Sequence, residues 1–362
     1  MTFVLGREAG PEAGPTGRLG HYRARDGSAG APLALDFDGP HAVLVVGKRG
    51  YGKSYTLGVV AEGLARTRGI APVVLDPMGA FGEMAGGVTD PAHDAVPVDV
   101  EPDPAVAPAS LDPRSWCRLL DLSPESGAGG LVWRAAREAT TLDGMRTAVR
   151  DADAPATAVR AAVNHLALAD SWGVLDADGL SPADLASPSA TVVDLSGLDR
   201  APASAVVRAV AEGLYRARVD GSVDRLPWLL LDEAHAFTDG VAAGALRRLL
   251  TRGRAPGVSL ALATQRPSAL PAVAVSQSDL LVAHRLTSQA DLDALARARP
   301  TYMDTALAEQ LPTGTGDVVV VDDATETVHA ARVRRRHTPH GGDSPSVREM
   351  RGDDTAADHS DL

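Results

Sequence analysis

The chain has 362 residues, enough for one large α/β core with insertions or for two modest domains. Its 35 basic and 47 acidic side chains leave a net charge of −12, which excludes a globally basic nucleic-acid coat and confines any DNA contact to local patches. The single cysteine, Cys117, excludes intramolecular disulfides and cysteine metal clusters, and no apolar run reaches the length of a membrane span, about 18 residues.

The basic charge is unevenly made: Lys48 and Lys53 are the two lysines, arginine supplies the other 33 basic groups, and aspartate outnumbers glutamate 35 to 12. This acidic, lysine-poor pattern resembles that of proteins from salt-loving archaea and predicts a halophilic protein. In near-saturated salt the Debye length shrinks to about 3 Å or less, so a carboxylate-rich surface need not repel a polyanion at long range. Arg7 and Glu8 stand where a signal peptide would need an apolar stretch, which predicts a cytoplasmic chain without membrane contact.

Residues 1–37 are rich in Gly and Pro with short alternating pieces, and predict a small strand-and-turn lead. The run His41–Val46 predicts a strand buried on both faces, and a helix of about 15 residues is expected after the glycine loop that follows it. Further apolar runs at Ala71–Asp76, Ala190–Leu195, Trp228–Asp232, Val258–Thr264 and Leu280–His284 are mostly spaced widely enough for intervening helices. This is the rhythm of a largely parallel, doubly wound α/β sheet. Residues 104–187, with Trp116, Trp133 and Trp172 but no convincing strand, predict a helical insertion in a core spanning 38–333, and Cys117 reads as a buried helix position. Asp317–Val321 and Thr327–Val333 predict a closing β-hairpin, and 334–362 a disordered acidic tail.

Gly47-Lys48-Arg49-Gly50-Tyr51-Gly52-Lys53-Ser54 fits the phosphate-loop pattern G-x-x-x-x-G-K-[ST] between a strand and a helix. Its glycines let successive N–H groups face a β-phosphate, the helix N-terminus adds its dipole, Lys53 reaches the β- and γ-phosphates, and Ser54 takes a magnesium site. Gly47, Arg49, Gly50, Tyr51, Gly52, Lys53, Ser54 and Tyr55 are therefore expected to bind ATP. Pro227–Glu233 is an apolar strand ending in two acids, with Asp232 in the Mg2+ shell beside Ser54 and Glu233 polarising the attacking water. Gln265, closing the next strand, is placed to sense a γ-phosphate or orient water.

Between those strands, Leu246–Arg254 is a helix end with four arginines. Arg247 and Arg248 suit a solvated face, whereas Arg254, and secondarily Arg252, sit in a loop from which a side chain could enter a neighbouring subunit's site. Arg285 is a third candidate for that role. His235 is expected to pack at a strand end, and no structural metal site is expected.

With the phosphate loop, Asp232-Glu233-Ala234-His235 and Ala263–Ser268 in that order, the chain resembles the HerA–FtsK superfamily, and HerA-type DNA translocases most closely. Val74–Gly79, Thr191–Leu198, Arg252–Gln265, Leu281–Leu286 and Arg332–His340 add to the likeness, which covers about 38–340. The resemblance implies a RecA-like core in a homohexameric ring, ATP-driven movement on double-stranded DNA, a trans arginine from the Arg252–Arg254 segment, and often a partner nuclease. It also implies an N-terminal β-barrel, of which the lead here could supply only a remnant, and an acid where Ala80 stands. Two other functions compete. The acidic surface suits an ATPase switch or assembly factor acting on a protein, and the Asp232–His235 box also occurs in two-domain helicases, whose second domain the residues after 300 are too few to build.

Overall fold

The computed structural model describes residues 2–8, 14–24, 27–89, 91–297 and 307–341. The N-terminal lead supplies β1 (Phe3–Leu5), β2 (Thr16–Arg23) and β3 (Ala29–Asp36). The expected central strand is β4 (Ala42–Val46), and α1 (Lys53–Ala65) follows the glycine loop. Then come β5 (Ile70–Asp76), β6 (Val98–Glu101), the helices α2 (Pro113–Leu119), α3 (Gly127–Glu138), α4 (Leu142–Arg150), α5 (Ala156–Asp170) and α6 (Pro182–Leu185), and β7 (Ala190–Asp194). The chain continues through α7 (Arg200–Asp220), β8 (Leu226–Leu231), α8 (Ala243–Arg252), β9 (Ser259–Thr264), α9 (Ala272–Ser276) and β10 (Leu280–Ala283). It closes with α10 (Gln289–Ala296), α11 (Leu307–Gln310) and the hairpin β11 (Asp317–Asp322) and β12 (Thr327–Val333).

Among the described residues twelve strands form one sheet in the order β1-β3-β2-β12-β11-β10-β4-β9-β8-β5-β7-β6. From β10 to β6 every neighbouring pair is parallel, as the apolar runs predict. Both faces are covered, which is why these strands read as continuous apolar sequence rather than as an alternation. In β4, Leu44 and Val46 enter the layer that contains α7 and α8, whereas Val43 and Val45 enter the layer that contains α1. Together these features make a RecA-like P-loop ATPase core with a mixed, mainly parallel sheet.

The lead extends this sheet instead of standing apart, because β2 pairs with β12. Leu19, Leu33, Leu35 and Phe37 join the α1-side core, with Phe37 edge-on to Trp228 at 5.6 Å. The insertion has its own apolar centre around Trp116, Val132, Met145 and Leu166. Asp112 caps α2 and also accepts a hydrogen bond from the buried Arg208 of α7, tying insertion to core. Two features depart from expectation. The edge strand β6 is half-exposed and escapes a search for apolar runs. Residues 334–341, assigned to the tail, pack across α1 because the buried carboxylate of Glu62 draws them in; 342–362 lie outside the described residues. Among the described residues no helix is long and apolar enough to cross a membrane.

Candidate active site

The parallel register brings the carboxyl ends of β4 and β9 level, with Val46 opposite Thr264, and ends β8 two residues earlier, with Leu231 opposite Leu262. Ligand crevices of open α/β sheets form outside such carboxyl ends. Gly47 leaves β4, and the loop turns on Gly50 and Gly52, whose φ values of 79° and 103° lie in the left-handed region that favours glycine. Gly52 caps α1 without a side-chain hydrogen bond, so the first N–H groups of the helix are not taken up by a cap. Together with the helix dipole they form an anion-binding end.

Lys53 opens α1 and is only 5% exposed, with Nζ donating to the Lys48 carbonyl at 3.4 Å. Burial holds its pKa below the usual lysine value, while Glu233 and Asp232 pull it back up. Next to it, Ser54 Oγ donates to Asp232 Oδ2 at 2.5 Å. Asp232 is buried, and its other oxygen accepts the Glu233 N–H at 2.8 Å.

Glu233 adopts φ 45° and ψ 41°, a left-handed conformation that costs a non-glycine residue about 1–3 kcal/mol. Its Oε2 is buried and lacks a hydrogen bond, although His235 Nδ1 lies 3.2 Å away. Burial, then the Asp232 charge, raise the Glu233 pKa; Lys53, a Gln265 backbone N–H and Arg49 oppose the rise. A strained, desolvated carboxylate with an unfilled acceptor is suited to taking a proton or orienting a polar group. Lys53, Ser54 and Glu233 line a cleft of about 1170 Å³ together with Arg49, Gly50, Gly52, Tyr55, His235 and Gln265.

The structure thus brings together the phosphate loop, Asp232, Glu233 and Gln265. Tyr51 is held beside them, with Arg285 Nη1 3.4 Å from its hydroxyl and the guanidinium 5.7 Å from its ring centroid. Arg285 is therefore engaged within its own subunit. Arg248 pairs with Glu212, whereas Arg247 is exposed. Arg252 and Arg254 do not join the cleft. Both are exposed at the segment that enters β9 at its amino end, so the sheet separates them from the phosphate loop of the same chain.

Three contributors lie in stretches that share the family likeness, Val74–Gly79, Leu281–Leu286 and Arg332–His340, but have no site role in the sequence reading. His284, fully buried after β10, lies beneath the loop with Nε2 3.0 Å from Thr56 Oγ1, and burial, assisted by Lys53, lowers its pKa to about 3. Asp76 accepts the N–H groups of Met78, Ala80 and Phe81, shaping the loop after β5. Residues 332–335, His340 and Gly341 form a further wall of the cleft. His284 ends an apolar run and Asp76 ends another, but only the folded sheet shows what they face. His235, expected as packing, lies 3.2 Å from Thr264 Oγ1 and also lines the cleft.

Residues Ser54 and Asp232 fit a divalent cation shared with phosphate oxygens: a hydroxyl and a carboxylate already converge beside the loop. Among the described residues no group of three or more His, Cys, Asp or Glu could hold a metal unaided.

The family described as "Helicase HerA, central domain" matches residues 18–151. No curated protein matches the sequence. VirB4 of Thermoanaerobacter pseudethanolicus is similar in structure, with a TM-score of 0.64 at 17% identity over 90% of this chain and 98% of that one. The plasmid coupling protein TrwB in complex with ADP and Mg2+ gives a TM-score of 0.59 at 16% identity over 92% and 98%. A bacterial conjugative coupling protein, an unbound form of TrwB, gives 0.58 at 16% identity over 86% and 89%. The chain thus shares with VirB4 and TrwB the fold of a RecA-like P-loop ATPase core.

Proposed function

We propose that this chain hydrolyses ATP with Mg2+ and converts the energy into movement along double-stranded DNA as one subunit of a homohexameric ring. The observation that carries this reading is the 2.5 Å contact between Ser54 Oγ and Asp232 Oδ2, which joins groups 178 positions apart at the mouth of the phosphate loop. Ser54 and Asp232 would hold Mg2+, which when bound neutralises phosphate charge and aligns the phosphate oxygens. Lys53 and the α1 N–H groups bind the β- and γ-phosphates. Glu233 takes up a proton from, or orients, the attacking water, and Gln265 holds that water or the γ-phosphate from the neighbouring strand. Arg254, with Arg252 beside it, extends from its own subunit to an adjoining cleft.

Movement on DNA is supported by the HerA helicase family match and by the fold shared with the conjugative coupling protein. The net charge of −12 favours a second reading, a nucleotide-driven switch or assembly factor acting on a protein partner. Steady-state hydrolysis with Mg2+ at stated salt, with and without duplex DNA, tests the choice, alongside particle mass. Stimulation by duplex and a ring-sized mass are expected. Hydrolysis indifferent to any nucleic acid, by a monomer that forms a stable complex with a protein, would establish the second reading instead.

A further inference from the structure

Three residues on the outer face of α1, spaced three and four apart, receive the strap 334–341. Glu62, with no exposed surface, accepts from Arg334 Nη1 at 2.7 Å, from the His337 and Thr338 N–H groups at 2.8 Å each, and from Thr338 Oγ1 at 2.7 Å. Gly58 leaves room for the Arg336 guanidinium, whose Cζ would stand 2.8 Å from a Cβ at that position. Tyr55 completes the seat: its hydroxyl accepts the Arg336 N–H at 2.6 Å, and its ring meets His340 edge-on at 5.3 Å. Arg336 Nη1 lies 2.9 Å from His340 Nδ1, which makes Nδ1 the acceptor and leaves the imidazole proton on Nε2.

A strap pinned by four hydrogen bonds to one buried carboxylate is a fixed wall rather than a loose end. That wall lines the same cleft as the phosphate loop, through Arg335, His340 and Gly341. Arg335 is exposed and has no ion-pair partner among the described residues. The γ-phosphate end of a bound triphosphate is set by Ser54, Asp232 and Glu233 on the sheet side of α1. Its nucleoside end must then leave across the first turn of α1, where Tyr55 and the strap stand.

We propose that residues 334–341 form the nucleoside-binding wall of this cleft, with Arg335 and His340 contacting the base and ribose of a purine nucleoside triphosphate beside the Tyr55 ring. A guanidinium and two aromatic edges suit the π-face of a purine and its ribose hydroxyls. The inference rests on the phosphate-loop reading of the same cleft, so its test separates the two halves of the ligand.

Isothermal titration of the full chain with ATP and, in parallel, with inorganic tripolyphosphate, both with Mg2+, provides that separation. Arg335→Ala and His340→Ala are each expected to weaken ATP by about tenfold while leaving tripolyphosphate within twofold of the unsubstituted chain. Melting temperatures within a degree or two of the unsubstituted chain, roughly what a surface substitution allows, would confirm that the strap is still seated. Unchanged ATP affinity in both variants overturns the proposal. Equal weakening of ATP and tripolyphosphate overturns it as well, because the strap would then act through the phosphate loop. An unsubstituted chain that binds neither ligand brings down the phosphate-loop reading, and this proposal with it.

Discussion

His284 occupies the space that a side chain at Gly47 would need: a Cβ built on Gly47 would stand 2.5 Å from the Cβ of His284. The register explains the closeness: Ala283 of β10 lies opposite Val46 of β4, and the pairing continues beyond them, with the His284 N–H donating to the Val46 carbonyl at 2.8 Å and the Lys48 N–H to the Arg285 carbonyl at 2.7 Å. A glycine at position 47 is thus required by its neighbour in the sheet. Gly47→Ala should destabilise the fold by roughly 1–3 kcal/mol through overpacking and weaken ATP binding. Thermal melting with and without ATP and Mg2+ reads both effects, and an unchanged melting temperature and affinity would show that the loop yields freely.

Glu233 and Lys53 should separate binding from turnover. Glu233→Gln is expected to bind ATP normally while kcat falls by about 10²–10⁴-fold, whereas Lys53→Ala loses binding itself. Because burial and Asp232 raise the Glu233 pKa, its ionised, water-orienting form is lost on acidification at a higher pH than for a solvated glutamate. The acid limb of the pH–rate profile should therefore lie above the ordinary carboxylate range and vanish in Glu233→Gln. Normal turnover by that variant would remove Glu233 from the reaction.

His41 predicts a pH dependence of stability that is independent of nucleotide. It is 7% exposed, with Nδ1 2.8 Å from Asp279 Oδ2 and Nε2 3.3 Å from Asp36 Oδ2. Burial alone would lower its pKa, but the two carboxylates outweigh burial and raise it from 6.5 to about 9. The folded chain therefore keeps a proton that the unfolded chain releases, so the stabilisation is complete below pH 6.5 and disappears as pH rises through about 9. It amounts to roughly 3 kcal/mol at most. Chemical denaturation across this window should show the decline in the unsubstituted chain and a flatter profile in His41→Asn; the same slope in both would assign it elsewhere.

Arg254 can be tested by mixing subunits. Alone, Arg254→Ala and Lys53→Ala assemblies should each be nearly inactive, the former by a factor of about 10³–10⁵ if the arginine acts on the transition state. Mixed, they should recover activity wherever an intact cleft of an Arg254→Ala subunit meets an intact Arg254 from a Lys53→Ala subunit. No recovery in verified mixed assemblies would exclude a shared site at this position, leaving Arg252→Ala for the same experiment.

Local pattern in the sequence determined the phosphate loop, the strands on either side of the site and the acid pair at the end of β8. Those features follow from neighbours along the chain: a glycine turn needs glycines at fixed offsets, and a strand covered on both faces needs an unbroken apolar run, as in Val43–Val46. The short, half-exposed β6 left no such trace, and the Gly- and Pro-rich lead gave no sign that β2 would pair with β12, more than 300 positions away. Tertiary structure alone decided that Ser54 meets Asp232, that His284 underlies Gly47, and that Glu62 folds residues 334–341 back over α1. Each of these depends on which strands become neighbours in the sheet, and that order is set by packing between distant segments, for which no residue carries a local signature.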